Sequence, residues 1–449
     1  MNHPMIIVGA GPIGLAAAAN AADRGLDFVV LESGPHAAAA VAEWSHVRLF
    51  SAWRELVDPV ARRLLEAEGW AAPPADDYPT GGEWRSAYLE PLAKLLGARP
   101  SGEVRYDARV IGIGRSGRDL LVDSGRESDP FVVHVATAHG RERLLGSGVV
   151  DASGTWRLPN PLGADGYPAI GEHENRNRIS YGTPDFADPD VAARYVGKHV
   201  ALAGKGASAQ GAMIGLTRLA RRDPGTRVSW LLRRPNVGDA FGGGDNDQLA
   251  ERGRLGQAAK AAASTGVVSE LTQFRTEAVQ VQSDGRLTLV SSDGQRVADV
   301  DEVIVVTGFR PDLSFLSEVR LDLDAALGSP RVLADQIHPD HHSCGDVRPH
   351  GHRELAQPEP GLYLVGMKSY GRAPSFLAMT GFEQVRSVVA ALDGDLEAAD
   401  RVDLVLPETG VCNGAGAFDE TSAVAGSGCC GTTSAHAEPE LISLGQRPQ

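Results

Sequence analysis

Residues 5–32 read MIIVGAGPIGLAAAANAADRGLDFVVLE: an apolar tetrapeptide, a glycine turn, an alanine-rich stretch at helical spacing, then a second apolar run ending in an acid. Two short apolar strands joined by a helix form a βαβ unit, and the parallel pairing it imposes requires helices on the faces of the sheet. Gly9, Gly11 and Gly14 stand in the G-x-G-x-x-G spacing. The first serves a tight turn, the second the approach of a pyrophosphate, and the third the close packing of helix on strand. The helix N-terminus offers unpaired N–H groups to phosphate oxygens. Glu32 falls where a carboxylate accepts hydrogen bonds from a ribose diol.

The pattern recurs in HVALAGKGASAQGAMIGLTRLARRDPGTRVSWLLRRP, with Gly204, Gly206 and Ser208 in the turn and Ala209 in the third glycine position. Where the first unit ends in Glu32, the second ends in Arg233 and Arg234, and guanidinium groups suit a 2′-phosphate. A solvated strand end is the plainer account of the two arginines. Two unlike units in one chain suggest one cofactor held permanently and one that visits, FAD and NADPH being the obvious pair. VVDASGTW and VIVVTGFRPD, the second containing Gly308, are apolar strands that end at a small residue and a glycine and bracket the second unit. Between Glu32 and Asp151, WRSAYLEPLAKLL reads as helix. VRYDARVIGIGR, LLVDSG and FVVHVATAHG read as alternating strands of a small antiparallel layer.

A formal net charge of −15 over 449 residues argues against nucleic acid or an anionic membrane, both of which reward clustered Lys and Arg. A small-molecule substrate is expected. The N-terminus carries no signal-peptide pattern and no apolar run reaches membrane length, so the chain reads as cytoplasmic.

The succession G-x-G-x-x-G with Glu, D-A-S-G, G-x-G-x-S-A, T-G-F-R-P-D and G-L-Y-L-V-G resembles the two-dinucleotide-binding-domain flavoproteins, among them thioredoxin-reductase-like enzymes and flavin-containing monooxygenases. The resemblance spans about residues 4 to 395. It implies an α/β fold in which an NADPH domain is inserted in an FAD domain. The implied FAD contacts are Gly9, Gly11, Gly14, Glu32, Ser33, Ser153 and Gly154. The implied NADPH contacts are Gly204, Gly206, Ser208, Arg233 and Arg234. DASGTWRLPNPLGADG, VGMKSYGRAPSFLAMTGFEQVRS and LVLPETGVCN are similar to the ArsO-type flavoprotein monooxygenases encoded among arsenic-resistance genes. That likeness implies monooxygenase-like chemistry in arsenic detoxification, with a trivalent arsenical as a candidate substrate and room for a homodimer.

Three departures from the family pattern bear on mechanism. ISYGTPDFADPDVAARYVGKHV lacks the histidine of F-x-G-x-x-x-H, no C-x-x-C is present, and Met367 follows Gly366 where reductases of this group often have Asp. Lys368 and Arg372 either neutralise a reduced flavin or belong to a solvated loop.

Thiols are scarce: Cys344, Cys412, and the adjacent Cys429 and Cys430 in SGSGCCGTT. Adjacent cysteines close only a small, strained and therefore labile ring, and Gly428 and Gly431 leave the pair free to adopt unusual backbone angles. Cys412, Cys429 and Cys430 together offer three soft donors for a thiophilic ion such as trivalent arsenic. The alternatives are a Cys429–Cys430 dithiol relay, or a tail that is idle or binds Zn²⁺ incidentally with His436. IHPDHHSCGDVRPHGH reads as a loop over the flavin, with a metal site as its rival. Trp44 and Trp53 either approach the flavin ring or fill core.

The expected organisation is an FAD domain over 1–158 and 312–405, an NADPH domain over 159–311 and a flexible cysteine-bearing tail over 406–449. The expected function is an NADPH-oxidising, FAD-dependent, monooxygenase-like enzyme. A disulfide or metalloid reductase using Cys429 and Cys430 and a redox- or arsenic-sensing flavoprotein with little turnover are the alternatives.

Overall fold

The computed structural model describes residues 3–237, 240–242, 247, 249–338, 347–374 and 376–404. Cys344, Cys412, Cys429 and Cys430, and with them the whole 406–449 tail, lie outside the described residues.

Strands β1 (Met5–Val8) and β2 (Phe28–Leu31) pair in parallel around the helix Pro12–Asp23. All eight strand residues are buried, as expected of a strand covered on both faces. β3 (Gly102–Arg105) extends the sheet beyond β2, and Asp107, at φ 51°, then turns the chain out of it. β4 (Arg109–Arg115), β5 (Phe131–Thr137) and β6 (Gly140–Gly146) form an antiparallel layer, after which β7 (Val149–Asp151) returns to pair with β1. The expected strand at LLVDSG is not formed. Leu121 is 88% exposed, so no buried face rewards pairing there. The loop is pinned instead by the buried Glu359 carboxylate, which accepts from Arg115 Nε at 2.6 Å, Arg126 Nη2 at 2.9 Å and the Arg320 N–H at 3.2 Å. Burial pushes the pKa of Glu359 up, but the two guanidinium groups outweigh it and leave it below the usual range.

A second parallel sheet follows, built from β8 (Ile179–Tyr181), β9 (His199–Ala203), β10 (Arg227–Leu231), β11 (Val268–Leu271) and β15 (Glu302–Val305) in the order β11-β10-β9-β15-β8. β12 (Thr276–Val281), β13 (Leu287–Ser291) and β14 (Arg296–Val300) form its own antiparallel appendage. β16 (Leu362–Leu364) then completes the first sheet as β16-β7-β1-β2-β3. The second sheet is therefore nested in sequence between two neighbouring strands of the first. Where the chain passes between them, Asn160 N–H donates to Gly308 O at 2.9 Å and Arg310 N–H to Leu158 O at 3.0 Å, with the Trp156 and Phe309 rings 4.7 Å apart and tilted by 31°.

WRSAYLEPLAKLL is helical but not uniformly so: a π segment, Arg85–Leu89, precedes the helix Glu90–Gly97. Pro91 can neither donate to the Ala87 carbonyl nor sit close to it, so the helix widens. The freed carbonyl accepts the Trp70 indole N–H at 2.8 Å.

Asp58 caps the helix Pro59–Ala67 by accepting the Ala61 N–H at 2.8 Å. Burial pushes its carboxyl up from 3.8 to about 6, against the opposing effect of the Ala61 and Val60 N–H groups. Because the folded-state value is the higher one, the native state holds a proton between these two values that the unfolded chain has released. Stability from this group is thus present at low pH and is lost as pH rises through about 6. Asp58→Asn keeps an acceptor for the cap and removes the buried charge. It is expected to be more stable than the parent by on the order of 2 kcal/mol at neutral pH, with the gap closing by about pH 4, in paired unfolding curves. A variant less stable than the parent at both pH values would contradict this.

Candidate functional site

The first glycine turn is built by backbone crowding. Gly9 has φ 99°, and a Cβ there would lie 2.9 Å from the Ala152 carbonyl oxygen that follows β7. A Cβ on Gly14 would lie 1.9 Å from Gly9 O, so the helix Pro12–Asp23 rests directly on the turn. At Gly11 nothing lies within 4 Å of a would-be Cβ. That glycine faces open space at the helix N-terminus, which is the cradle a phosphate needs. Glu32, at the end of β2, is 8% exposed and turns back over this cradle. Its Oε2 accepts the Ala10 N–H at 2.8 Å and its Oε1 the Gly34 N–H at 2.8 Å, while Ser33 Oγ lies 3.4 Å from Oε1. Oε2, with a single donor, keeps a lone pair for a ribose hydroxyl. Gly154, at φ 68°, is also open at its Cβ position.

The second turn repeats this geometry position by position. Gly204 has φ 129°, and its Cβ would lie 2.3 Å from the Val306 carbonyl oxygen that follows β15. Gly206 caps the helix Ala207–Ala220 and faces open space as Gly11 does. Ala209 is buried in the place of Gly14, and Gly308, at φ 95°, stands to Val306 as Gly154 stands to Ala152. The fully buried Trp230 donates its indole N–H to Gly204 O at 2.7 Å and steadies the turn. Ser208 is exposed in the first helical turn.

Strand register refines the comparison of the second-strand ends. Leu31 pairs with Val8 and Leu231 with Ala203, so the residue in the position of Glu32 is Leu232, and Arg233 and Arg234 follow it. Leu232 is 4% exposed and can accept nothing from a ribose diol. Arg233 is exposed, with Nη1 3.4 Å from Ala164 O, and Arg234 is half-buried.

The chain after β16 closes against the first cradle. Gly366, at φ 68°, opens the 3₁₀ segment Gly366–Tyr370, and its would-be Cβ lies 3.0 Å from Ile13 of the cradle helix. The Gly366 N–H donates to Gln384 Oε1 at 2.7 Å, and Met367 is half-buried beside it. Lys368 belongs to no solvated loop. It is fully buried, with Nζ 2.6 Å from Asp151 Oδ2, 3.0 Å from Ser153 Oγ and 2.7 Å from Asp312 O. Arg372 is exposed. His350 lies in the irregular segment 347–351, as the loop reading expects, and its ring is buried. Its Nδ1 lies 3.0 Å from Arg348 O and its Nε2 2.8 Å from Gln384 Nε2. Desolvation lowers its pKa, which favours the neutral ring this arrangement requires. His352 bonds Asp400 Oδ1 at 2.8 Å. Among the described residues no cluster of three His, Cys, Asp or Glu side chains could hold a metal. Trp53 fills core at 6% exposure, and Trp44 packs on Gly81.

The structure thus gathers Gly9, Gly11, Gly14, Glu32, Ser33, Ser153, Gly154 and Gly366 around one turn, with Met367 next in the chain, and Gly204, Gly206, Ser208 and Gly308 around the other, with Arg233 and Arg234 following the end of its second strand. Cys412, Cys429 and Cys430 lie outside the described residues. Sequence reasoning missed the roles of Asp151, Gln384 and His350, whose partners are far away in the chain. The acid in D-A-S-G at the end of an otherwise apolar strand was the only available signal.

The NAD(P)-binding Rossmann-like domain family matches residues 7–61. No curated protein matches the chain. Among solved structures, a bacillithiol disulfide reductase from Bacillus cereus aligns at 18% identity over 88% of this chain and 99% of its own, with a TM-score of 0.63. The FAD-bound cadaverine monooxygenase DfoA from Erwinia amylovora aligns at 13% identity over 91% and 99%, with a TM-score of 0.59. The thioredoxin reductase of T. acidophilum aligns at 16% identity over 88% and 98%, with a TM-score of 0.55. These likenesses establish the fold as an α/β architecture with two Rossmann-like parallel sheets. No described helix is long and apolar enough to cross a membrane.

The two kinds of glycine separate experimentally. Gly14→Ala drives a methyl into the Gly9 carbonyl and is expected to lower the melting temperature by several degrees, a cost of about 2 kcal/mol or more. Gly11→Ala meets no protein atom. It is expected to melt like the parent while losing about tenfold or more in dinucleotide affinity by fluorescence titration.

Proposed function

We propose that the chain is an FAD-dependent, NADPH-oxidising oxidoreductase of the flavin-monooxygenase-like kind, acting in arsenic detoxification. In this reading residues 1–158 and 312–405 form the FAD domain, 159–311 the NADPH domain, and 406–449 an appended tail. The observation that carries it is the pair of equivalent glycine cradles with opposite chemistry at their rims: a buried carboxylate at Glu32, and a leucine followed by two arginines at 232–234.

The fit of both dinucleotides rests on the open Cβ positions of Gly11 and Gly206, each at a helix N-terminus. Around the first cradle, helix N–H groups bind the pyrophosphate, Glu32 accepts the ribose diol, and Ser153, Gly154, Gly366 and Met367 bound the remainder. Around the second, the N–H groups of the helix Ala207–Ala220 take the pyrophosphate. Leu232 withholds the acceptor that NADH would use, and Arg233 and Arg234 receive the 2′-phosphate. Bound there, FAD would supply the hydride acceptance and electron transfer that the side chains of this protein cannot. The protein's part is to align the two dinucleotides and to exclude water, with no side-chain acid or base required for the hydride step.

A disulfide or metalloid reductase is the second reading, favoured by the adjacent Cys429 and Cys430 in a chain with four cysteines. An anaerobic NADPH titration of the FAD-loaded protein, with thiols counted at each step, separates the two. About one equivalent of NADPH with a constant thiol count supports oxygen chemistry. About two equivalents with two new thiols supports the reductase. Absence of flavin reduction would overturn both, and steady NADPH consumption in air excludes a sensor without turnover. Arsenic detoxification further predicts that a trivalent arsenical raises the rate of that consumption. Arg233→Ala combined with Arg234→Ala is expected to raise KM for NADPH by about ten- to a hundredfold and to leave KM for NADH nearly unchanged, about 1.4–2.7 kcal/mol of selectivity.

A further inference from the structure

The least expected group beside the first cradle is a buried ammonium. Lys368 and Asp151 are each 0% exposed, with Nζ and Oδ2 2.6 Å apart. The ammonium donates to Ser153 Oγ at 3.0 Å and to Asp312 O at 2.7 Å, while Asp151 Oδ2, which accepts no hydrogen bond, faces it as an ion-pair partner. The Phe315 ring lies 4.2 Å from the same nitrogen. Asp151 Oδ1 accepts the Ser153 N–H at 3.1 Å. Three separate returns of the chain to the first cradle, at 151–153, at 312 and at 366–370, therefore meet on one side chain.

A buried ion pair is a poor way to stabilise a core, since an apolar pair of similar volume does as well or better. Its position offers a different reason. Asp151 precedes Ala152, whose carbonyl sits against Gly9, and it precedes by two the Ser153–Gly154 turn that bounds the cradle. We propose that Lys368 and Asp151 form a positioning and charge-setting pair for the FAD of the first cradle. The pair holds the Ser153–Gly154 turn against the glycine loop and lets a compensated buried charge set how readily the flavin accepts hydride. This inference rests on the FAD reading given above. Reduction adds negative charge to the flavin, so a lone cation nearby favours the reduced form and a lone carboxylate disfavours it.

The test uses the full chain loaded with FAD and measures midpoint potential and FAD affinity. Asp151→Asn leaves the cation and Lys368→Met leaves the anion. The expected order of potentials is Asp151→Asn above parent above Lys368→Met. A merely structural role moves both variants alike. Should Lys368→Met fail to fold, the apolar double variant Lys368→Met/Asp151→Leu replaces it. That variant is expected to keep the parent's circular dichroism and NADPH affinity while binding FAD about tenfold or more weakly. Equal or reversed potentials in the two single variants, or parental FAD affinity in the double variant, would overturn the proposal. A parent chain that takes up no FAD sinks the functional reading itself, which is a distinguishable result.

Discussion

Everything in this molecule is organised by the contact of a glycine with the carbonyl of a neighbouring strand end. Gly9 lies against Ala152 O, and Gly204 lies against Val306 O. Both glycines have positive φ, and at both a methyl group would collide with backbone. Because the two segments at each turn approach this closely, each following helix starts just beyond the strand ends with its first N–H groups outside the helix's own ladder. The parallel sheets, the buried helices and the cradles follow from that approach. Placing the β7 and β15 ends against these turns also determines where Gly154 and Gly308 lie.

The nesting of one sheet within the other uses the same device twice with different rims. In the first unit a carboxylate is folded over the turn and held by two backbone N–H groups, which keeps it buried and still able to accept. In the second the equivalent position is apolar, and the polar groups lie one and two residues further on. The two rims thus differ in chemistry at three consecutive positions, 232–234, on an otherwise duplicated scaffold.

Two of the buried charges sit where several segments converge. Glu359 joins the 117–129 loop to the approach to β16 through two arginines, and Lys368 joins three returns of the chain to the cradle. Neither convergence was legible in the sequence. Lys368 stands among Ser, Tyr, Gly and Arg, a local context that left flavin neutralisation and a solvated loop both open, and its hydrogen-bond partners are 56 and 215 residues away, with Asp151 further still. The burial of His350 was hidden for the same reason, its polar neighbours in sequence giving no sign of a partner in Gln384.

The sequence by itself determined the parts whose cause is local. Strand, turn and helix in 5–32 and 199–231 follow from apolar runs, glycine spacing and alanine-rich helices, and Glu32 was identifiable because its position is counted along the chain. Only the tertiary structure decided the rest. Pairing register showed that Leu232, rather than an arginine, stands in the position of Glu32. Exposure abolished the expected strand at 120–125, and convergence of distant segments buried Lys368. These outcomes depend on which surfaces lose contact with water and on which backbone groups meet across the sheet, and neither can be counted along a single segment.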